Sequence, residues 1–476
     1  MCYSFKSFWE HTLVRLTAFR VWIVAFVYAL SVGLLIQFVV LPVLFPSFHA
    51  GHGLLAGNDV STFHNLAVKL AQRIRVDGWS VWSLSPSDQA TVGVMAAAYV
   101  FLPEEPWVVL PLYAAFFAIA AACLFAILRL CGFEVRAAGI GVSPLLLMPS
   151  SALLYAIPHK DVFFVCGNMM FLYSIVRLAV APGVEGDKKW LYRAGIFFWI
   201  GLFGAFLVWL VRPYGLEIMM GIGGFIALVS LVAALIGIFR HRRYPVRRVI
   251  CLAVLCSVIV LLKPLGDSGF AVIVPSGLNV VPLATIMPEI VVHTDPETGK
   301  VLQKVADAGW VSSGVLSPRL ETLLQRLADT RNEYLFWHAS AASTIDSSVS
   351  FLRVWDMVRY LPRALQIGLF SPFPKDWLGV GSLPANTFMR RIASIEMALW
   401  YCFFPFCLMA VIKGRKHLVV GVVFLYVIPT ILVLALVIPN IGTLYRMRFG
   451  FWIVLFSLGV SMAVSLLGKR RITCVG

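Results

Sequence analysis

Long apolar runs separated by short polar segments dominate the chain. A helix that crosses the hydrocarbon core of a bilayer needs roughly 20 consecutive apolar residues. Several runs reach or approach this length, so we predict an all-α polytopic membrane protein with about ten transmembrane helices. The predicted spans are 21–46, 106–131, 138–157, 162–181, 195–211, 215–239, 248–263, 393–412, 418–438 and 449–467.

Basic residues concentrate in alternate connections between these runs. With the N-terminus in the cytoplasm, the cytoplasmic segments and their flanks hold 20 of the 39 Lys and Arg residues but only four of the 23 acids. Cytoplasmic loops of membrane proteins carry such an excess of basic residues. We therefore predict a multi-pass protein of the inner (cytoplasmic) membrane with both termini in the cytoplasm. The net charge of +16 is then an orientation signal, and no nucleic-acid partner is expected.

Composition supports a membrane protein and limits other classes. Hydrophobic residues make up 60% of the chain and charged residues 13%, whereas soluble domains have about 45–50% and about 25%. The first apolar run is too long for the core of a signal peptide, so we interpret it as a retained helix. All nine cysteines fall in predicted spans or cytoplasmic ends, so we expect no disulfide framework on the exterior side.

Two longer polar segments divide the chain into three parts. We predict an N-terminal membrane bundle, 1–263, that includes a first exterior loop at 47–105. A large exterior (periplasmic) loop, 264–392, follows, and the C-terminal membrane helices occupy 393–476.

The first exterior loop is predicted to contain two helices. Asp59 or Ser61 is placed to cap a helix whose apolar stripe consists of Phe63, Leu66, Ala67 and Leu70. Residues 91–102 are apolar but too short to span, so we favour a re-entrant or interfacial helix. The alternative, an eleventh span, would move the basic segment 240–248 to the exterior side.

The second exterior loop is predicted to begin with a β-like stretch, 264–292, and an exposed turn at 293–300. Amphipathic helices are predicted at 318–333 and 346–370. The second one alternates Arg with Trp, Phe and Leu, which is typical of a helix at an anionic lipid surface. Packing on a small core within the loop is an equally good interpretation.

Charges close to the membrane are candidates for function, because burying an unpaired charge at membrane depth is costly. Asp59, with His64 close behind it, could deprotonate a hydroxyl or help to hold a metal; the alternative is a helix cap. Glu104 and Glu105 form a carboxylate pair that could serve a metal or a base, or could lie in a solvated loop.

Four basic residues lie at predicted exterior ends of spans and suit a phosphate. They are Lys160, Arg212, Arg446 and Arg448. Asp161 follows Lys160 in a tight turn, where it could orient the lysine or cap the next helix. The alternatives are a self-neutralising turn for Lys160 and Asp161, headgroup contacts for Arg212, and acidic partners in the loops for the last two arginines.

The order of these parts resembles the GT-C superfamily of polytopic glycosyltransferases, which use polyprenyl-linked sugars. The matching features are a first span followed by an acidic residue and a surface helix. Shorter stretches resemble bacterial glycosyltransferase-39-like members: Pro149-Ser150-Ser151 with Lys160-Asp161, Leu369-Phe370-Ser371-Pro372-Phe373-Pro374, and Asn440 with Arg446-Met447-Arg448.

The resemblance implies that Asp59 is a catalytic base or metal ligand and that Lys160, Arg212, Arg446 and Arg448 hold a lipid phosphate. Family members often carry two acids in the first loop, whereas Asn58 precedes Asp59 here and the next acid is Asp77. This departure weighs against a metal. A divalent cation is therefore compatible with the sequence but not required by it, and no other cofactor is indicated.

The expected function is transfer of a sugar from a polyprenyl-phosphate donor to a glycan, lipid or protein acceptor on the exterior face. The expected partners are this donor, the acceptor and membrane lipids. One alternative is a surface-polysaccharide polymerase or ligase that uses polyprenyl-diphosphate glycans, which the large late loop favours. Another is a transporter or flippase, a class that typically has broken helices and inverted repeats.

Overall fold

Helices dominate the computed structural model, which describes residues 17–56, 59–86, 89–180, 188–239, 255, 293–294, 301–302, 310–337, 343–381, 384–414 and 417–472. Within these ranges, eight helices are long and apolar enough to cross a membrane. The chain is therefore an all-α polytopic membrane protein, as predicted. The strands described are short: β1 (His293–Thr294) pairs antiparallel with β2 (Val301–Leu302). The rest of the predicted turn at 293–300 lies outside the described residues.

The chain divides into two compact units. The first unit comprises Met1–Asp267, Ala398–Ile428 and Phe449–Gly476, and the second comprises Ser268–Met397 and Pro429–Arg448. The predicted boundaries after 263 and 392 lie close to the first two divisions. The predicted C-terminal segment, 393–476, contributes to both units.

The first unit is built mainly from the N-terminal helices. These helices are α1 (Ala18–Leu35), α2 (Val60–Asp77), α3 (Ala90–Phe101), α4 (Leu110–Leu130), α5 (Val135–Gly141), α6 (Ser143–Leu147), α7 (Pro149–Tyr155), α8 (Asp161–Val180), α9 (Lys188–Val211) and α10 (Pro213–Phe239). Predicted spans one, two, four, five and six correspond to α1, α4, α8, α9 and α10. The predicted span 248–263 and the β-like stretch 264–292 lie outside the described residues, except for Leu255.

The first span changes its helical form near one end. α1 continues as a π-helix over Ile36–Leu44, a region that contains Pro42. A proline removes a backbone donor and disturbs the regular helical ladder. The buried side chain of Gln37, in this wider region, donates a hydrogen bond to the Ala156 carbonyl at 2.8 Å. The contact ties the first span to the end of α7.

The predicted span at 138–157 is interrupted in the structure. The residues form Val135–Leu147 and Pro149–Tyr155, and these two parts are bent by 75°. Met148 lies between them with φ −65° and ψ 129°. The residue before a proline is disfavoured in the α-helical region, so Pro149 explains why the first part ends there. The periodicity of apolar residues alone did not reveal this break.

The short helix α3 agrees with our interpretation of 91–102 as a helix that does not span. Its 12 residues rise about 18 Å, whereas the hydrocarbon core is about 30 Å thick. α3 packs against α2. Together, these two helices form the part of the first unit that carries most of the candidate site.

A close backbone approach joins α8 to α9. A Cβ atom added to Gly204 would lie 2.6 Å from the Gly167 carbonyl oxygen, and one added to Gly167 would lie 2.5 Å from the Gly204 carbonyl oxygen. Small residues at such crossings let membrane helices pack backbone to backbone. Gly195 lies on the same helix, α9, and a Cβ atom there would meet nothing within 4 Å.

We therefore expect Gly204→Ala to destabilise the protein by roughly 1–3 kcal/mol, because the added methyl group forces the two backbones apart. Gly195→Ala is the matched control. It removes a glycine from the same helix without a clash, so it is expected to be neutral or mildly stabilising. Thermal unfolding in detergent, followed by intrinsic fluorescence, measures the difference. Equal stability of the two variants would contradict the close crossing.

The second unit contains the helices of the late loop and parts of the last three helices. They are α11 (Pro318–Trp337), α12 (Val354–Phe370), α13 (Pro384–Gly414), α14 (Leu418–Val437) and α15 (Ile441–Ile472).

The predicted helix 318–333 is confirmed as α11. The predicted start of the next helix at 346 is wrong, because α12 begins at Val354. The Asp356 carboxylate accepts the backbone N–H groups of Leu352 and Arg353 at this end.

α12 has two different apolar surfaces. Met357, Tyr360 and Ile367 are buried, whereas Trp355 and Val358 are exposed. The buried residues show that one surface of α12 packs within the second unit. The exposed surface leaves contact with lipid open as a prediction.

The last helix begins earlier than predicted. We expected a span at 449–467, preceded by Arg446 and Arg448, but α15 begins at Ile441 and contains both arginines. Asn440 accounts for this start, because its side-chain oxygen accepts the Thr443 backbone N–H at 3.0 Å. Asparagine is among the preferred N-cap residues.

Candidate functional site

A tight turn in the first unit presents a histidine in an unusual backbone conformation. Gly51, His52 and Gly53 all have positive φ angles, of 93°, 52° and 69°. Glycine adopts such angles readily, whereas histidine rarely does. The turn is held by the Gly53 backbone N–H, which donates to His49 Nε2 at 2.9 Å. Gly53 also needs to be glycine, since a Cβ atom there would lie 2.7 Å from Gln37 Cβ.

The His52 ring faces side chains from α2 and from the segment that follows α3. Its Nδ1 lies 3.0 Å from Glu105 Oε2, and its ring centroid lies 4.8 Å from that of His64 on α2. His64 Nδ1 and the Tyr99 hydroxyl of α3 are hydrogen-bonded at 3.0 Å. His52 is half-exposed, whereas His64 and Tyr99 are buried. The four side chains form a row, which we call the histidine cluster.

Burial keeps the inner members of the histidine cluster uncharged. It lowers the pKa of His64, and the nearby His52 lowers it further, against the opposing effect of Glu105 and Glu104. Burial also raises the pKa of the Tyr99 hydroxyl, with smaller contributions from Tyr113 and the same two carboxylates. At neutral pH, the pair His64–Tyr99 is therefore an uncharged hydrogen-bonded couple.

The two predicted loop carboxylates have different partners. Arg75 of α2 donates to Glu104 Oε1 at 2.5 Å and also to the Tyr99 carbonyl oxygen. Glu105 instead faces His52. The acidic pair is thus divided between an arginine and a histidine, and this arrangement differs from two carboxylates that converge on one metal ion.

A second polar group lies where α8 begins and α9 ends; we call it the ion-pair cluster. Asp161 is the first residue of α8, and its carboxylate is paired with Arg212, which follows α9. The other carboxylate oxygen lies 3.0 Å from His159 Nδ1. All three side chains are buried. Arg212 also donates to the Tyr214 hydroxyl at 2.5 Å.

Lys160 extends from the same turn towards α3. Its ammonium group donates to the side-chain oxygen of Gln89, the N-cap residue of α3, at 3.2 Å. Lys160 is half-buried. The predicted cation at this turn therefore lies next to α3, while Arg212 is held against Asp161. Asp161 itself is the first residue of α8.

Asp59 precedes the turn of α2 that contacts the ion-pair cluster. It is the exposed N-cap residue of α2, without a hydrogen bond from the helix backbone to its side chain, and its carbonyl accepts the Phe63 N–H at 3.0 Å. The buried Phe63 ring lies 5.9 Å from the His159 ring. The first turn of α2, which follows Asp59, thus contacts the turn that carries Lys160.

The two late arginines belong to the second unit. Arg448 is buried and donates to the carbonyl oxygens of Ile367, Gly368 and Ser371 at the end of α12. Guanidinium groups are favourable at helix C-termini, where carbonyl oxygens are left without helical partners. Arg446 is half-buried on the same helix. The contacts of Arg448 account for its position without a bound phosphate.

A third polar group, which was not predicted from the sequence, lies in the second unit. Arg331 of α11 is buried and donates to the carbonyl oxygens of Asp346, Val349 and Leu436. The Asp346 carboxylate accepts from Tyr360 at 2.8 Å and from Arg363 at 2.9 Å. Burial raises the pKa of Asp346, but these hydrogen bonds and charges outweigh it, and the net effect lowers that pKa.

Within the residues that the structure describes, no group of three or more His, Cys, Asp or Glu side chains is arranged to hold a metal ion. Comparisons with protein-family models, with curated proteins and with solved structures found no match for this chain. The side chains described above are therefore the basis for a proposed function.

The buried ion pair gives a direct test of this geometry. We expect Asp161→Asn to lower stability by about 3–5 kcal/mol, because it leaves the Arg212 charge buried without its partner. A double variant, Asp161→Leu with Arg212→Met, removes both charges and should recover most of the loss. Thermal unfolding of the purified protein measures both. If the single variant is as stable as the parent, the pair is not buried as described.

Proposed function

We propose that the chain is a membrane glycosyltransferase that moves a sugar from a polyprenyl-phosphate donor to a hydroxyl group of an acceptor. The observation that carries this proposal is the contact between Phe63 and His159. Through it, the first turn of α2, which follows Asp59, contacts the basic turn before α8. A transfer of this kind needs a carboxylate or another base on one side of the sugar and a cation on the other.

In this proposal Lys160 contacts the donor phosphate. Its half-buried ammonium group lies at the end of a span, a depth that suits a phosphate whose polyprenyl chain remains in the lipid. Arg212 is engaged by Asp161 and Tyr214, so we assign it the role of holding the turn in place. Arg446 and Arg448 remain predicted phosphate contacts only by the resemblance.

The acceptor side of the reaction lies along α2 and α3. Asp59 and the histidine cluster supply groups that can take a proton from a hydroxyl. The leaving phosphate needs stabilisation by a cation and does not require a divalent ion. We further propose that this side is the exterior face of the inner membrane and that both termini are cytoplasmic, as the distribution of basic residues suggests.

A second candidate function is transport of a lipid-linked anion. The broken third span favours it, because transporters often place their sites at interrupted helices. The two functions are separated by product analysis. A transferase yields a new glycosidic bond, whereas a transporter moves the intact lipid across vesicle membranes.

The test is transfer of radiolabelled sugar from polyprenyl-phosphate hexose in membrane vesicles of cells depleted of the native protein and supplied with variants. We expect Asp59→Asn to lower the rate at saturating donor by roughly 10²-fold or more, because the Asp59 carboxylate stabilises the positive charge that develops on the sugar carbon in the transition state. We expect Lys160→Gln to raise the donor KM about tenfold, the effect of losing one charge-assisted hydrogen bond.

Matched controls lie on the same helix as Asp59. Asp77→Asn changes the exposed carboxylate at the other end of α2, and Lys69→Gln removes an exposed charge from its middle. Both should transfer sugar at the parental rate. Normal transfer by Asp59→Asn and Lys160→Gln together would overturn the assignment, and an absence of any transfer by the parent would overturn the function.

A further inference from the structure

The backbone of His52 is held in a conformation that does not favour histidine. Its φ of 52° lies in the left-handed region, between two glycines that also have positive φ. Asparagine or glycine would adopt this angle more readily. Such strain persists where the surroundings enforce it, and it is concentrated at functional sites. Histidine does not suit this backbone better than asparagine or glycine, so its specific contribution at this position is the imidazole ring.

Glu105 fixes the protonation pattern of that ring. An ionised carboxylate can only accept a hydrogen bond, so the His52 Nδ1 at 3.0 Å must carry the proton. In the neutral ring, Nε2 then has a lone pair. A carboxylate that orients a histidine in this way is the arrangement by which hydrolases and transferases prepare a general base. With 52% of its side chain exposed, His52 is accessible to an acceptor.

The groups around His52 also suit proton acceptance. Two titratable groups contact His52 directly, Glu105 and His64. Further out lie His49 in the same turn, Tyr99 on α3, Arg75 on α2 and Glu104 after α3. Arg75 is paired with Glu104. His64 is kept neutral by burial, so no second imidazolium opposes a proton on His52, and Glu105 stabilises that proton.

We infer that His52, oriented by Glu105, is the general base that activates the acceptor hydroxyl; the inference rests on the proposed function. His52 Nε2 takes the hydroxyl proton, and the oxygen forms a bond to the anomeric carbon of the donor sugar. The bond from that carbon to the phosphate oxygen breaks, and its electron pair leaves with the polyprenyl phosphate. The proton on His52 is then released to solvent.

The test uses substitutions that keep the turn. His52→Gly and His52→Asn both tolerate a positive φ, so the variants are expected to fold. Sugar transfer from labelled polyprenyl-phosphate hexose in the vesicles above should fall by about 10²–10⁴-fold in each. Imidazole added to the buffer should restore part of the rate of His52→Gly, because the cavity left at a half-exposed ring admits it.

The dependence on pH separates a base from a purely structural residue. A base has to be uncharged to accept a proton, so the parental rate should fall at acidic pH. The residual rate of His52→Asn should lack this decrease. Glu105→Gln keeps an acceptor for Nδ1 but removes its charge, so it should lower kcat while the donor KM stays the same.

His417→Asn is the matched control, an exposed histidine elsewhere in the chain, and it should transfer at the parental rate. If the parent transfers sugar and His52→Gly transfers it at the same rate, this inference is overturned, while the proposed function is not. Loss of transfer without imidazole rescue and with an unchanged pH profile would also overturn it, since His52 would then be structural. Absence of parental transfer would instead contradict the proposed function.

Discussion

The buried pair of Asp161 and Arg212 is the interaction on which the candidate site depends. A guanidinium group enclosed by apolar helices needs a counter-charge or several hydrogen-bond acceptors, because lipid does not solvate it. The pair joins the start of α8 to the end of α9, at the point where Pro213 begins the next helix. Since Lys160 immediately precedes Asp161, the same pair also sets where that lysine lies.

The second unit uses arginine in a related way. Arg448 and Arg331 are both buried, and their guanidinium groups donate mainly to backbone carbonyl oxygens. Each side chain also stacks on aromatic rings: Arg448 on Tyr445, and Arg331 on Phe351 and Tyr360. The planar, weakly hydrated guanidinium is better suited to such burial than an ammonium group. Several cations of this chain therefore have a structural explanation.

The apolar pattern predicted most of the fold because a bilayer imposes a minimum length on a span. It did not predict the break at Met148, since the two parts together are apolar enough for a span. It also missed that α15 begins at Ile441, because the last apolar run starts only after Arg446 and Arg448. Where a helix begins or ends depends on its capping residues and on the partners of its buried charges. These contacts are seen only in the structure.

The candidate site was predictable to a more limited degree. The charges of Asp59, Lys160 and Arg212 were visible in the sequence, and the structure adds that Arg212 already has a carboxylate partner. His52 was missed as a candidate. Its flanking glycines were a local signal for an unusual turn, but Glu105 lies 53 positions away in the chain. A general base is recognised by its partner, and sequence spacing did not show this partner.

The first turn of α2 connects the two clusters of the first unit. Phe63 and His64 are consecutive, so their side chains leave the helix about 100° apart. One ring contacts His159, next to the proposed phosphate contact, and the other contacts His52, the proposed base. In an inverting transfer, the acceptor and the leaving phosphate lie on opposite sides of the sugar carbon. The proposed base and the proposed phosphate contact thus lie beside consecutive side chains of one helix, which fits the transfer that we propose.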